Sequence, residues 1–153
     1  MSDHPTLYEW AGGMTALDRL TEVFYREVHE DELLAPVFAH VGDDHPHHVA
    51  VWLAEVFGGP AAYTEGHGGY PAMLAHHVGL SITPEQRTRW ATLIAAAAEE
   101  AGLPADPEFR SAFVAYVEWG SRIGMANSQP GSDPPPRAPV PHWGWGEAPP
   151  YQP

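Results

Sequence analysis

The chain has 153 residues, the usual length of one domain, and it is long enough to bury a substantial core. It carries 20 acidic and 7 basic residues, and the formal net charge of −13 argues against binding to nucleic acid or to an anionic membrane. The absence of cysteine excludes disulfides, thiolate chemistry and cysteine-ligated zinc. No run of 18 apolar residues and no signal-peptide pattern is present, so we expect a cytoplasmic protein without a membrane span.

The first half of the chain predicts a short apolar segment and two longer helices. Gly12-Gly13 forms a corner, and apolar residues then recur at intervals of three and four along a long helix. After a bend around Pro36, Asp44 is the expected N-cap of the next helix, which Gly58-Gly59-Pro60 ends. The apolar positions of these two helices are Leu17, Leu20, Phe24 and Val28, followed by Val49, Trp52, Leu53, Val56 and Phe57.

The second half predicts a glycine-rich stretch followed by three helices. We expect residues 61–70 to be irregular and Pro71 to open a short helix that ends near His76-His77. The segment Thr83-Pro84-Glu85-Gln86 has the form of a capping box, and Asp106-Pro107-Glu108 opens the last helix. No strand pattern is visible. The sequence therefore predicts an all-α protein with about five main helices and two short ones.

A proline-rich tail begins near residue 128 and cannot build a helix or a sheet interior. We therefore divide the chain into a helical domain, residues 1–127, and a tail, residues 128–153, which we expect to be extended or disordered. The rings of Trp143, Trp145 and Tyr151 are the groups that would attach this tail to the helices.

Motifs in the helical part follow one another in a specific order. They are the early Gly-Gly, Phe24-Tyr25 on the next helix, the Gly-Gly-Pro corner, His77 followed by Leu80 and Ile82, and Trp90 thirteen residues after His77. Each is weak alone, but the order and spacing together resemble the truncated hemoglobins, and among them group II. The resemblance covers residues 6–126 and leaves the tail unmatched.

The resemblance implies a two-over-two helical sandwich around haem b, with His77 as the proximal iron ligand. His76 is a weaker alternative, because neighbouring residues on a helix point about 100° apart and only one can meet the iron. The alternative is that either residue is simply a packed or surface histidine that does not bind iron. The residues that the resemblance places against the porphyrin are Phe38, Val49, Leu53, Tyr63, Met73, His76, Leu80 and Ile82, together with the residues of the ligand side.

On the ligand side, the resemblance implies that Tyr25 and Trp90 donate hydrogen bonds to bound O2. Phe38 occupies a position where group II members often have Tyr. His45 falls at the pocket entrance, where it would gate the pocket, add a hydrogen bond or bind the iron as a sixth ligand. Because the preceding loop differs in length from the family pattern, His47 and His48 are rivals for this position.

One departure from the family pattern concerns cations. Family members carry Arg near the glycine-rich loop and before the proximal His, where Arg pairs with the haem propionates. Here the propionates would depend on His67, His76, Tyr63, Tyr70 or more distant arginines, so we expect haem to be held less tightly.

The functions that the resemblance implies are oxygen binding or delivery, nitric-oxide dioxygenation and peroxide chemistry, with O2, NO, CO or peroxide as the small ligands. No flavin or nicotinamide fingerprint is present, so turnover would need a separate reductase. The chain would act as a monomer or a homodimer. The alternative is a non-haem metal protein that uses the His45/His47/His48 and His76/His77 clusters, and a third possibility is a protein that docks partners through its tail.

Overall fold

The computed structural model of the protein describes residues 4–134 and 138–146. Seven helices and no strand occur in this part of the chain, which confirms the all-α prediction. None of these helices has both the length and the apolar character needed to cross a membrane. The helices are α1 (Leu7–Ala11), α2 (Gly13–Glu30), α3 (His45–Val56), α4 (Ala62–Gly66), α5 (Gly69–His77), α6 (Pro84–Glu100) and α7 (Pro107–Asn127).

Two packed pairs of helices form the core. Helix α2 lies against α3, α6 lies against α7, and α2 also packs on α6, so the two pairs stack on each other. The predicted stripe of α2 is fully covered, and each large apolar side chain in it stabilises the fold by about 2 kcal/mol. Helix α3 is buried at every position from Ala50 to Val56, which places it at the centre of the molecule.

Two boundary predictions have different outcomes. The capping box at the start of α6 is confirmed: the Gln86 N–H donates to Thr83 Oγ1, and the Thr83 N–H donates to Gln86 Oε1. Asp44 occupies the N-cap position of α3 but makes no side-chain capping bond. Its Oδ2 lies 3.4 Å from Nε2 of His48 instead, so the prediction that Asp44 caps α3 is wrong.

The prediction that residues 61–70 are irregular is also wrong, because α4 and the start of α5 lie there. A tertiary contact explains the difference. The buried carboxylate of Glu55 accepts hydrogen bonds from the backbone N–H and the hydroxyl of Thr64, at 2.8 and 2.5 Å. Gly68 and Gly69, with φ of +88° and +63°, then make the turn between the two helices.

Residues 128–134 and 138–146 of the tail are described, and the second of these segments lies against the helices without forming one. Trp143 donates from its backbone N–H to Val56 O at 2.8 Å and from its indole to Ala112 O at 3.0 Å. Trp145 donates from its indole to Pro5 O at 2.8 Å. Tyr151, the third predicted ring, lies outside the described residues. The division of the chain at residue 127 stays a prediction.

Candidate functional site

His77 is the last residue of α5, and its ring is held by its own helix. Nδ1 lies 2.9 Å from the carbonyl oxygen of Met73. Because a carbonyl can only accept, Nδ1 carries the proton in this bond and Nε2 keeps its lone pair. Burial lowers the pKa of His77, and the like charge of His76 acts in the same direction, while the bond to Met73 opposes them. The side chain is therefore a neutral imidazole whose Nε2 is available as a ligand.

Helix α7 passes close to this ring at Gly124. A Cβ atom at position 124 would lie 3.2 Å from both Cδ2 and Nε2 of His77, closer than such contacts normally are. Any larger residue would therefore push the imidazole away. Sequence reasoning did not assign Gly124 to the site. The available signal was a glycine inside a helical pattern, which often marks a close approach.

The loop after His77 is tied to the end of α7. The backbone N–H groups of Ser81 and Ile82 donate to Ser128, one to its carbonyl and the other to its hydroxyl, both at 2.9 Å. Gln129 Nε2 donates to Ile82 O at 2.7 Å. Ser128 is fully buried. It fixes the backbone of the segment that carries Leu80 and Ile82, and it is a second positioning residue that the sequence did not indicate.

A second group of predicted residues lies on α2, α3 and α6 and in the segment between α2 and α3, and most of its ring contacts are edge to face. Tyr25 is buried, and its ring centroid lies 5.5 Å from that of Phe38 and 4.9 Å from that of His45. Phe24 links Tyr25 to Trp90, at 4.8 and 5.4 Å. The fold thus gathers four of the predicted site residues, Tyr25, Phe38, His45 and Trp90, into one aromatic cluster.

Electrostatics keep this cluster uncharged. Burial raises the pKa of Tyr25 well above its ordinary value. Burial also lowers the pKa of His45 to about 4, and the like charges of His76 and His48 add to the effect. At neutral pH, His45 is therefore a neutral imidazole with Nε2 3.2 Å from the Tyr25 hydroxyl. The interaction with His76 also shows that the end of α5 lies near the start of α3.

The other two histidines of this segment point elsewhere. His47 is exposed, and its Nδ1 lies 2.8 Å from Asp18 Oδ1. The ring of His48 lies 4.6 Å from that of His67. Within residues 4–134 and 138–146, no three His, Asp or Glu side chains come close enough together to hold a metal ion. The non-haem metal hypothesis, with its His45/His47/His48 and His76/His77 clusters, therefore finds no support in the described part of the chain.

The side chains present fit a haem. Several predicted contact residues remain only partly buried, although they are large and apolar. Leu53 and Tyr63 are buried. The partly covered residues are Phe38, Val49, Met73, Ile82 and Trp90, and Leu80 is 40% exposed. A neutral imidazole beside incompletely covered apolar side chains is the donor set that an iron porphyrin requires.

Two stacked helical pairs that carry a neutral imidazole at the end of α5 and a buried aromatic cluster on α2, α3 and α6 are compatible with a protein of the globin class. A family model of bacterial-like globins matches residues 6–118. The group 2 truncated hemoglobin YjbI of Bacillus subtilis is 32% identical over 91 residues, which is 60% of this chain and 68% of that protein. The group 1 truncated hemoglobin GlbN of Nostoc commune is 38% identical over 80 residues, which is 50% of this chain and 62% of that protein.

Solved structures agree with these matches. The hemoglobin of the thermophilic phototrophic bacterium Chloroflexus aurantiacus superposes with a TM-score of 0.71 at 32% identity, covering 80% of this chain and 98% of that one. The group II truncated hemoglobin of Bacillus anthracis superposes with a TM-score of 0.73 at 25% identity, covering 83% and 95%. This chain belongs to the bacterial-like globins, in the truncated hemoglobin family, and is a haem globin that binds small ligands.

Proposed function

We propose that Nε2 of His77 binds the iron of haem b and that O2, NO or CO binds on the opposite side, next to Tyr25 and Trp90. Bound haem supplies an iron with one free coordination position for a diatomic ligand. The observation that carries this proposal is the hydrogen bond from His77 to Met73 O, which sets the tautomer and leaves Nε2 unprotonated. Family membership supports the haem; the choice of His77 over His76 rests on this geometry and on the exposure of His76.

Tyr25 and Trp90 would stabilise bound O2, because the bound ligand carries partial negative charge. A well-aimed donor contributes about 1–2 kcal/mol. The indole N–H of Trp90 makes no hydrogen bond with the described residues, so it is available to a ligand. The Tyr25 hydroxyl is shared with His45, and it is available only when Nε2 of His45 carries the proton.

His45 would act as the gate of the pocket. It is the first residue of α3 and only half-buried, so its ring has a route to solvent. Rotation of His45 outward would open the entrance and would also release the hydroxyl of Tyr25. The other porphyrin contacts of the proposed pocket are Phe38, Val49, Leu53, Tyr63, Met73, Leu80 and Ile82.

Histidines would replace the cations that usually hold the haem propionates. The sequence contains no lysine. The six arginines of the described residues all bond to carboxylates or carbonyls elsewhere in the fold. His67, next to the glycine-rich turn, and the exposed His76 remain for this role, because His48 lies against Asp44. An imidazole binds a carboxylate less strongly than a guanidinium group does, so haem should transfer readily to apomyoglobin.

Reversible ligand binding is the activity that the site supports best. Nitric-oxide dioxygenation or peroxide reduction would use the same pocket but would require electrons from an external reductant. The distal donors would serve either use, since a partially negative oxygen is stabilised in both.

Optical spectra of the ferric, ferrous and CO-bound protein test the assignment. His77→Ala should abolish stable haem binding or the six-coordinate CO spectrum, whereas His47→Ala, which changes an exposed histidine bonded to Asp18, should leave the spectra unchanged. His45→Ala should retain haem and alter the rates of ligand binding. A His77→Ala variant with the spectra of the parent protein would show that the proximal ligand is a different residue.

A further inference from the structure

A continuous line of oxidisable rings runs from the candidate haem pocket to the molecular surface. We propose that this line, formed by Tyr63, Trp52, Tyr116, Trp143 and Trp119, carries electrons inward from a one-electron donor in solution when peroxide oxidises the haem. The proposal rests on the peroxide chemistry included in the proposed function. It assigns to the protein a surface at which an electron donor acts, away from the pocket entrance at His45.

Each step of the line is a direct contact. The rings of Tyr63 and Trp52 have centroids 5.1 Å apart, and the indole N–H of Trp52 donates to the Tyr116 hydroxyl at 2.9 Å. The Tyr116 ring then lies 5.6 Å from that of Trp143, which lies 5.5 Å from that of Trp119. No aliphatic side chain separates successive rings, and electron tunnelling between aromatic rings in contact is fast compared with enzyme turnover.

The two ends of the line lie in different environments. Tyr63 and Trp52 are buried, and Trp52 is on α3 between the proposed pocket residues Val49 and Leu53. Trp119 is 41% exposed on α7, an unusual position for so large an apolar side chain. Trp143 belongs to the tail and lies between Tyr116 and Trp119, while the Tyr116 ring also contacts the Trp119 ring directly, with centroids 6.2 Å apart.

Proton positions favour migration of the oxidised state over its trapping. An indole radical stays mobile when its N–H proton has no base to which it can go. The Trp52 N–H faces a neutral hydroxyl, and the Trp143 N–H donates to the carbonyl of Ala112. Burial raises the pKa of Tyr116 to about 12. Tyr116, whose hydroxyl accepts the hydrogen bond from Trp52, acts as a bridge between the indoles, while Trp52, Trp143 and Trp119 carry the charge.

The electrons and atoms balance with a phenol as the donor class. Reduction of one hydrogen peroxide to two waters breaks the O–O bond and consumes two electrons and two protons. Two phenol molecules each lose one electron and one proton, giving two phenoxyl radicals and the two waters. Inside the protein, Trp52 would give an electron towards the haem pocket and would itself be reduced by Trp143 or Trp119. The phenol in solution would then reduce the exposed indole.

The test uses the full-length haem-loaded ferric protein mixed with hydrogen peroxide in the presence of a nitroso spin trap. Peptide mass mapping then locates the trapped radical, and freeze-quench electron paramagnetic resonance identifies it as tryptophan or tyrosine.

The variants are Trp52→Phe, which removes the buried tryptophan of the line, and the double variant W119F/W143F, which removes the two outer tryptophans. Trp10→Phe is the matched control, because Trp10 contacts Trp145 and none of the five rings. Thermal unfolding and the haem spectrum verify that each variant is folded.

In the parent protein and in Trp10→Phe we expect adducts on Trp119 or Trp143. In Trp52→Phe these adducts should be lost while the haem spectrum still changes with peroxide. The double variant should shift the radical to buried rings. Adducts that persist on Trp119 or Trp143 in Trp52→Phe would overturn the proposal, as would a parent protein whose haem spectrum responds without any adduct on the five rings. A parent protein whose haem spectrum does not respond to peroxide would overturn the peroxide chemistry itself, and the electron line with it.

Discussion

His45 and His77 are both held as neutral imidazoles, although other histidines lie close to them. Desolvation is the main cause at each residue, and neighbouring imidazoles add to it. The consequence is that Nε2 of His77 keeps a free lone pair and that His45 bonds to Tyr25 without carrying a charge. Titration of these two groups should therefore influence both the stability of the fold and the chemistry of the pocket.

The first prediction at this scale concerns His45 and pH. In the unfolded chain a His has a pKa of about 6.5, and in the fold the pKa of His45 is about 4. Between these two values the unfolded state binds more protons, so the fold loses stability as pH falls from about 6.5 towards 4. His45→Gln cannot titrate, and its amide can still bond to Tyr25.

Thermal unfolding of the parent and of His45→Gln at several pH values would check this. The difference between their midpoints should change in favour of the variant as pH falls through this window. Above pH 7 the difference should be constant. Because His29, His48, His76, His77 and Asp44 are present in both proteins, their contributions largely cancel. A constant difference from pH 7 to 4 would show that His45 is freely solvated.

The second prediction concerns Gly124→Ala. Gly124 lies in the last turn of α7, where Ala favours the helix over Gly by at most about 1 kcal/mol, and without haem the His77 ring can shift by the few tenths of an ångström that the new Cβ requires. The haem-free protein should therefore become no less stable, whereas haem bound to Nε2 would hold the ring against the new Cβ. We expect haem transfer to apomyoglobin about tenfold faster, which corresponds to ~1.4 kcal/mol, and a shifted iron–histidine stretching frequency.

Gly66→Ala is the matched control for Gly124→Ala, because a Cβ at position 66 would meet nothing within 4 Å. It should leave both the haem-transfer rate and the stretching frequency unchanged. Equal rates and frequencies in the parent and in Gly124→Ala would mean that the imidazole does not lie against α7 when haem is bound.

At the scale of the element, the helices that carry a complete local signal were predictable and those that depend on distant contacts were not. The capping pair Thr83 and Gln86 predicts the start of helix α6. An apolar repeat along one face predicts helix α2. Helix α4 has no such signal: it forms because Glu55, on another helix, accepts the hydrogen bonds of Thr64.

The site divides in the same way. Tyr25, His77 and Trp90 were named from motif order, and the fold gives each a position compatible with its predicted role, although those roles stay predictions. Gly124 and Ser128 went unrecognised because their importance depends on which elements α7 passes. A short stretch of sequence does not relate residue 128 to residues 81 and 82. They meet only because the fold brings the end of α7 against the loop after His77.

Ser128→Ala tests this crossing. The substitution removes the hydroxyl that accepts from the Ile82 N–H, which should destabilise the loop by about 1 kcal/mol. Hydrogen exchange of the Ile82 amide should become about fivefold faster, while exchange in α2 should not change. Ser132→Ala removes an exposed hydroxyl that donates to Asn127 O, and it should leave the Ile82 amide as in the parent. If exchange of the Ile82 amide is unchanged in Ser128→Ala, then the other contacts of the loop stabilise it.

At the scale of the whole molecule, the tail connects elements that are far apart in the sequence. Val140 is buried, and the two tail tryptophans reach Val56 at the end of α3, Ala112 on α7 and Pro5 before α1. These contacts close the molecule on a side that carries none of the proposed ligand-binding residues. The tail should therefore contribute to stability and leave ligand binding nearly unchanged.

Truncation after Pro134 and the single change Trp143→Ala test this role together. Among the described residues 138–146, Trp143 makes two of the three hydrogen bonds to the rest of the chain and both ring contacts with α7, so its loss should release this segment. Each variant should then lower the free energy of unfolding by a similar amount, about 2 kcal/mol. His142→Ala, an exposed change beside Trp143, should leave the free energy of unfolding unchanged.

The rate of CO binding to the ferrous protein should be the same in all four proteins, which are the parent and the three variants. If truncation is much more destabilising than Trp143→Ala, then Val140 and Trp145 hold the tail independently; if truncation changes the CO rate, the tail acts on the pocket through α3.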